Sequence, residues 1–158
     1  MTVPDIKILN RSPEKIIYCV EETIYGPMMI GACDEGICWA GFDIDGAVMR
    51  ARFAQAQFIE VTSINMQQSL AVCGTPFQIS VWRFLLTIAH GRTQTYGDIA
   101  KYIQRPNAHR AVGSAVGANP ISGFIPCHRV VPSHGGVGHY LWGTQKKAEL
   151  LNKEALLS

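Results

Sequence analysis

The chain has 158 residues, 47% of them apolar and 16% charged, with a net charge of +2. That composition excludes a disordered chain, and no apolar run approaches the ~20 residues of a membrane span. The first residues, MTVPDIKILNRSPEK, lack the basic start and long apolar stretch of a secretory leader. The expectation is one ordinary domain or two small lobes, with no membrane partner, in the cytoplasm and nucleoid-associated if the source is bacterial.

The five cysteines, Cys19, Cys33, Cys38, Cys73 and Cys127, are odd in number and so read as reduced thiols. Cys33 and Cys38 stand close together in CDEGIC, but no second ligand pair follows. They read as small apolar side chains in strands, and no metal is expected. Charge is divided unevenly. Residues 1–80 carry five Lys/Arg and nine Asp/Glu, whereas residues 81–158 carry nine and three, together with all five histidines. A basic half beside an acidic one is the footprint of a polyanion partner.

Residues 16–42 read as strands, with β-branched and aromatic runs broken at Gly26-Pro27 and at Asp34-Glu35-Gly36. The second break reads as a hairpin turn. Residues 46–57 read as a short helix and 58–62 as a further strand. This first lobe, 1–72, carries no motif and reads as scaffold. The second lobe, 73–158, opens with Thr75-Pro76, an N-cap followed by proline at the first helical position. Phe77, Val81, Phe84, Leu85 and Ile88 then recur at helical spacing, and His90-Gly91 ends that helix.

Next come Thr95-Tyr96-Gly97 and a short helix, DIAKYIQ. Arg105-Pro106-Asn107 makes a turn, and AHRAVGSAVGA forms a second helix that stops at Asn119-Pro120. Two short helices around a tight turn read as a helix-turn-helix. One face of the second helix must pack on the protein's own core. The other, built from small residues, suits a narrow groove such as the DNA minor groove. An apolar stretch interrupted at Pro126 follows, then the glycine-rich PSHGGVGHYLWG. The last helix, TQKKAELLNKEALL, is expected to turn Ala148, Leu150, Leu151 and Ala155 inward.

The chemistry concentrates in IPCHRV. A thiol attacks as thiolate, so Cys127 needs a nearby base, and the base needs an orienting partner. His128 is adjacent, but neighbouring side chains of an extended segment point to opposite sides. A turn at Pro126 or a bridging water could connect the two. The acids of the basic lobe are Asp98, Glu149 and Glu154. Glu154 follows Leu150 and Leu151 by four and three residues, which puts it at the border of the apolar face.

Together with GTPFQISVW, TYGDIA, RPNAHRAVGSAVGANP and GHYLWGTQKKAELLNKE, the segment IPCHRVV resembles the O6-alkylguanine-DNA alkyltransferase family over residues 73–154. Residues 1–72 match only in general character. The resemblance implies an α+β fold of two lobes. A small N-terminal β-rich lobe with a helix would precede a mainly helical C-terminal lobe, which would hold the helix-turn-helix and the active-site cysteine. It implies a monomer that binds double-stranded DNA containing O6-alkylguanine. The alkyl group, from O6-methylguanine and also O4-methylthymine, would move irreversibly to the protein after base flipping, once per molecule and without a cofactor.

The resemblance also assigns roles. Cys127 would accept the alkyl group, His128 would deprotonate it through a water, and Glu154 would orient His128. Asn119 would hold the turn before the active-site segment. Arg110 would fill the gap left by the flipped base. Tyr96 would crowd the phosphate behind that base and donate its hydroxyl to guanine N3, while Tyr140 would stack on the base. The backbones of Cys127, Val130 and Leu141 would read its edges, and Thr95, Ala108, His109 and Ser133 would lie against DNA. Two departures stand out. His109 replaces a small aliphatic residue, and Trp142 stands where some relatives have glycine, which would narrow the pocket against bulky adducts. The competing readings are a DNA-binding module without chemistry, against which Cys127 speaks, and a Cys-His-Glu hydrolase, which gives no reason for the basic helix-turn-helix.

Overall fold

The computed structural model describes residues 3–157. The chain divides into two compact units. Among the described residues, the first comprises 3–74 with 120–123, and the second 75–119 with 124–157.

The first unit is built on a six-stranded sheet. Its strands are β1 (Ile6–Ile8), β2 (Lys15–Thr23), β3 (Gly26–Cys33), β4 (Gly36–Gly41), β5 (Gln57–Glu60) and β6 (Leu70–Val72), in the order β1-β6-β4-β3-β2-β5. β2, β3 and β4 form an antiparallel meander, broken where the sequence places Gly26-Pro27 and Asp34-Glu35-Gly36. β1, β5 and β6 join it in parallel pairings. Every residue of β4 is buried, as suits an apolar strand covered on both faces. Gly36 has φ +146, and a Cβ there would meet the Ser69 carbonyl oxygen at 2.1 Å, so the hairpin turn needs glycine.

Helix α1 is only Ala47–Arg52, shorter than the expected 46–57. Asp43 sets its start, accepting from the Met49 amide at 2.9 Å and from the Trp39 indole at 3.2 Å. Its end follows from the sheet: Gln57 must pair with Lys15, so the chain turns at Phe53. Residues 120–123, which the sequence reading assigns to the second lobe, belong to this unit. The Ala40 amide donates to the Pro120 carbonyl and the Ser122 amide to the Ala40 carbonyl, which makes a parallel bridge between Ala40 and Ile121.

The second unit holds α2 (Pro76–Leu85), α3 (Tyr96–Tyr102), α4 (His109–Gly117) and α5 (Thr144–Leu157). Two short strands, β7 (Gln94–Thr95) and β8 (Val130–Val131), pair in parallel. Thr75 caps α2 reciprocally with Gln78, and Thr95 caps α3 with Asp98, each exchanging two hydrogen bonds of 3.0–3.1 Å. Asp98 is thereby committed as a cap, and its carboxyl is held below the usual range by the Thr95 hydrogen bonds. α3 starts at Tyr96, two residues earlier than the sequence suggests, because Thr95 is the cap. α4 buries Val112, Ala115 and Val116 and exposes Arg110, Ala111, Ser114 and Gly117. The Trp82 indole of α2 donates to the Ala115 carbonyl at 2.8 Å, fixing α2 on α4.

Candidate active site around Cys127

Cys127 does not sit in an extended strand. Pro126, at φ −81 and ψ 66, is the centre of an inverse γ-turn in which the Cys127 amide donates to the Ile125 carbonyl at 2.8 Å. The Arg129 amide then donates to the Pro126 carbonyl at 3.0 Å and closes a single 3₁₀ turn over Cys127–Arg129. Proline's fixed φ favours this geometry. Asn119, just after α4, donates from Nδ2 to the same Ile125 carbonyl at 2.8 Å. The turn replaces the alternation of a strand, so adjacency of Cys127 and His128 no longer forces their side chains apart.

The thiol is buried, at 6% exposure. Burial pushes the Cys127 pKa up, because a thiolate is poorly solvated there. Four groups oppose that rise: a hydrogen bond from the Asn119 side chain, the Lys147 cation, and the backbone amides of Cys127 and His128. The site therefore withholds water from the sulfur while supplying donors for its charge.

His128 is fully buried, and its Nε2 lies 2.5 Å from Glu154 Oε1. Burial lowers the imidazole pKa, and the Glu154 carboxylate only partly offsets this, so the ring is neutral at physiological pH. A neutral imidazole beside a carboxylate places its proton on the shared nitrogen. Nε2–H then donates to Glu154, and Nδ1 is the basic nitrogen.

Glu154 is held by more than His128. Arg129 donates to it from Nε at 2.9 Å and Nη2 at 3.0 Å, and the Gly91 amide approaches at 3.4 Å. Arg129 Nη1 donates to the Ile88 carbonyl at 2.6 Å. One guanidinium thus ties the end of the α2 region and the 3₁₀ turn to α5, and compensates the buried carboxylate.

The buried face of α5 is Lys147, Leu150 and Glu154, at helical spacing, whereas Ala155 is exposed and Ala148 and Leu151 are half-buried. The expected inner face is correct at Leu150 and wrong at Ala155; charged residues with assigned partners take the neighbouring positions. Lys147 is fully buried. Its Nζ donates to the Val130 carbonyl at 2.6 Å and the His139 carbonyl at 3.1 Å, and lies 5.9 Å from the Tyr96 ring centre. Burial brings its pKa down to about 8, against an upward pull from Cys127. Tyr96 is pushed up, by burial and by Cys127.

Cys127, His128, Glu154 and Asn119 therefore form one connected cluster, which Lys147 extends to Tyr96 and to Val130. Tyr140 is buried. Arg110 is exposed on α4 and takes no part in the cluster. His109 is exposed, with its ring against Gly97, where an added Cβ would lie 3.5 Å from Cε1. Ala108 precedes α4 without a side-chain cap, and Thr95 is used as the α3 cap. Ser133 and Leu141 are exposed, and Trp142 is half-buried. Sequence reasoning missed Arg129 and Lys147. The signals were present: an arginine abutting the histidine, and a lysine seven residues before Glu154 on the same face. Among the described residues, no three His, Cys, Asp or Glu side chains gather as a metal site.

A sheltered thiol ringed by donors, next to a neutral imidazole fixed by a carboxylate, is the arrangement of a cysteine-nucleophile protein. Residues 76–156 match the family described as 6-O-methylguanine DNA methyltransferase, DNA binding domain, and the chain belongs to that family. It is 33% identical to the Mycobacterium tuberculosis protein OGT solved in complex with DNA, with a TM-score of 0.68 over 89% of this chain and 93% of that one. It is 35% identical to the regulatory protein ada of Salmonella typhimurium over 87% of this chain and 45% of that protein. Identity is 48% to a methylated-DNA–protein-cysteine methyltransferase of Shigella flexneri, over 55% of this chain and 51% of that protein. The chain spans about half the length of the curated relatives it matches. The fold is of mixed α and β content, as expected. No described helix is long and apolar enough to cross a membrane.

Proposed function

We propose that this protein repairs DNA by direct reversal, moving the alkyl group of O6-methylguanine in duplex DNA onto Cys127. The observation that carries the reading is the buried chain Cys127–His128–Glu154–Arg129, a nucleophile beside a neutral base whose carboxylate partner is itself neutralised. O4-methylthymine, whose methyl group has the same oxygen linkage, is a second substrate. The protein acts as a monomer inside the cell.

A water relays the Cys127 proton to His128 Nδ1, and Glu154 accepts a hydrogen bond from the imidazolium that results. The thiolate attacks the methyl carbon in line. The C–S bond forms as the C–O6 bond breaks, and the electron pair leaves with guanine. Tyr96 donates its phenolic proton to guanine N3, and Lys147, 5.9 Å from that ring, stabilises the phenolate and the departing charge. The product thioether has no group beside it able to cleave it, so each molecule reacts once.

The damaged base must leave the duplex to reach a buried thiol, at a cost of roughly a few kcal/mol. α3 and α4 act as the helix-turn-helix. The exposed face of α4, with Ala111, Ser114 and Gly117, is shallow enough for the minor groove, and Arg110 fills the vacated stack. Tyr140 stacks on the flipped base, while the backbones of Cys127, Val130 and Leu141 read it. Thr95, Ala108, His109 and Ser133 flank the DNA.

The test is transfer from duplex DNA carrying labelled O6-methylguanine. Label should appear in protein at one equivalent, in a peptide containing Cys127, and vanish in Cys127→Ala. Turnover past one equivalent, or label elsewhere, overturns the reading.

A further inference from the structure

Cys33 and Cys38 lie in the first unit, apart from the chemistry above. Cys33 ends β3 and pairs directly with Gly36, which carries no side chain. Two residues further along β4 is Cys38, diagonal to Cys33 on the same face, and the register shifts there: Ala32 pairs with Ile37 but Gly31 with Trp39, so Cys38 is the extra residue of a β-bulge. The register places the two thiols as neighbours across the strands, so that each responds to the other. Cys38 is buried, and Cys33 is half-buried. Cys33 lines an open cleft of about 370 Å³, together with Arg11, Lys15, Asp34 and Glu35.

The two sulfurs differ in character. Cys33 is lowered from its ordinary pKa, first by the neighbouring Cys38 thiol, whereas Cys38 is pushed up by Cys33 and by burial. Cys19 offers no comparable thiolate: burial and its bond to Glu21 push it up to about 11.

We propose that Cys33 and Cys38 are a reversible dithiol–disulfide pair, in which a hydroperoxide entering the cleft oxidises Cys33 and Cys38 resolves it. The Cys33 thiolate attacks the peroxide, forming an S–O bond as the O–O bond breaks and hydroxide leaves. The Cys38 sulfur then attacks the sulfenic sulfur. The S–S bond forms, the S–O bond breaks, and the hydroxyl departs with the Cys38 proton as water. The pair gives up two electrons and the peroxide takes both. A disulfide needs its Cα atoms within ~7 Å, whereas diagonal positions of a regular antiparallel pair stand ~7–8 Å apart, so closing the link requires the bulged strand at Cys38 to move towards Cys33.

The experiment treats the full chain with a small excess of hydrogen peroxide, blocks remaining thiols with an alkylating agent, and maps peptides by mass spectrometry. The expected result is a Cys33–Cys38 cross-link that forms before Cys127 is modified and is reversed by dithiothreitol. In Cys38→Ser, sulfenic acid should accumulate at Cys33 and be trapped by dimedone. A wild-type map in which both thiols stay alkylatable while Cys127 oxidises overturns the proposal. So does Cys33 running on to sulfinic acid without a cross-link. The wild-type map is independent of how well the variant folds, and none of these outcomes depends on the alkyl-transfer reading.

Discussion

Arg129 grips Glu154 through two nitrogens, Nε at 2.9 Å and Nη2 at 3.0 Å, with both side chains buried. Deleting one partner of such a pair strands a charge away from water, at about 3–5 kcal/mol. Arg129→Met should therefore lower the thermal midpoint by roughly 10 °C, at ~2–4 °C per kcal/mol for a chain of this size. Combined with Glu154→Gln the loss from Arg129→Met should shrink, since no carboxylate is then stranded. Additive losses in that double-mutant cycle would show that the pair is not coupled.

On the proposed function, His128→Ala removes the base that serves the Cys127 thiol. Single-turnover alkyl transfer should slow by roughly 10²–10⁴-fold while DNA affinity holds. Quenched reactions with labelled duplex measure the first quantity, and binding of undamaged duplex the second. An unchanged transfer rate would place the base elsewhere.

Burial shifts two groups whose effect on stability has a defined sign. Lys147 has a folded pKa of about 8, below its ordinary 10.5. Between those values the unfolded chain holds more protons than the folded one, so stability rises with pH across that window. His128, also lowered, makes stability fall as pH drops below its ordinary 6.5. Denaturant titrations of wild type and Lys147→Met at pH 8 and pH 10 test the first effect. The gain should be larger in wild type, and equal gains would refute it.

Trp142 follows the residues assigned to the base pocket. If it narrows that pocket, O6-benzylguanine should inactivate the protein slowly, and Trp142→Gly should speed inactivation by roughly tenfold or more. Rapid inactivation of the wild type would remove the idea.

Gln104 has φ +62, the one non-glycine residue with positive φ among those described. It ends α3 with the Arg105 amide donating to the Ala100 carbonyl at 2.8 Å and its own amide donating to Lys101 at 3.0 Å, the pattern that favours glycine at this position. Gln104→Gly should stabilise the fold by about 1 kcal/mol, read from chemical denaturation. A loss of stability would mean that the side chain contributes more than the backbone conformation costs.

Much of this molecule was readable from local chemistry. The β2–β4 meander announces itself through β-branched runs and two turn signals, and the Thr75 cap follows from a side-chain oxygen placed before proline and a helical periodicity. The Thr95 cap was not read, because α3 is too short to show where its periodicity begins. β1 and β6 were not readable. Three residues each cannot display an alternation, and their pairing, Ile6 with Leu70, is set by the sheet. Cys127 and His128 were legible because a thiol beside an imidazole is chemically distinctive, and Glu154 because it borders an apolar stripe. Arg129 and Lys147 were hidden by the rule that charges face water. Their burial depends on carbonyls and a carboxylate contributed by distant segments, which no local window contains.

The parallel pairing of Gln94–Thr95 with Val130–Val131 has a mechanical consequence. Thr95 is both a rung of that small ladder and the cap of α3, while Val130 directly follows the turn that carries the thiol. The start of α3 and the seat of the sulfur are therefore indexed to one another by backbone alone, like two tools on one jig. Any ligand that seats α3 also sets where the sulfur stands.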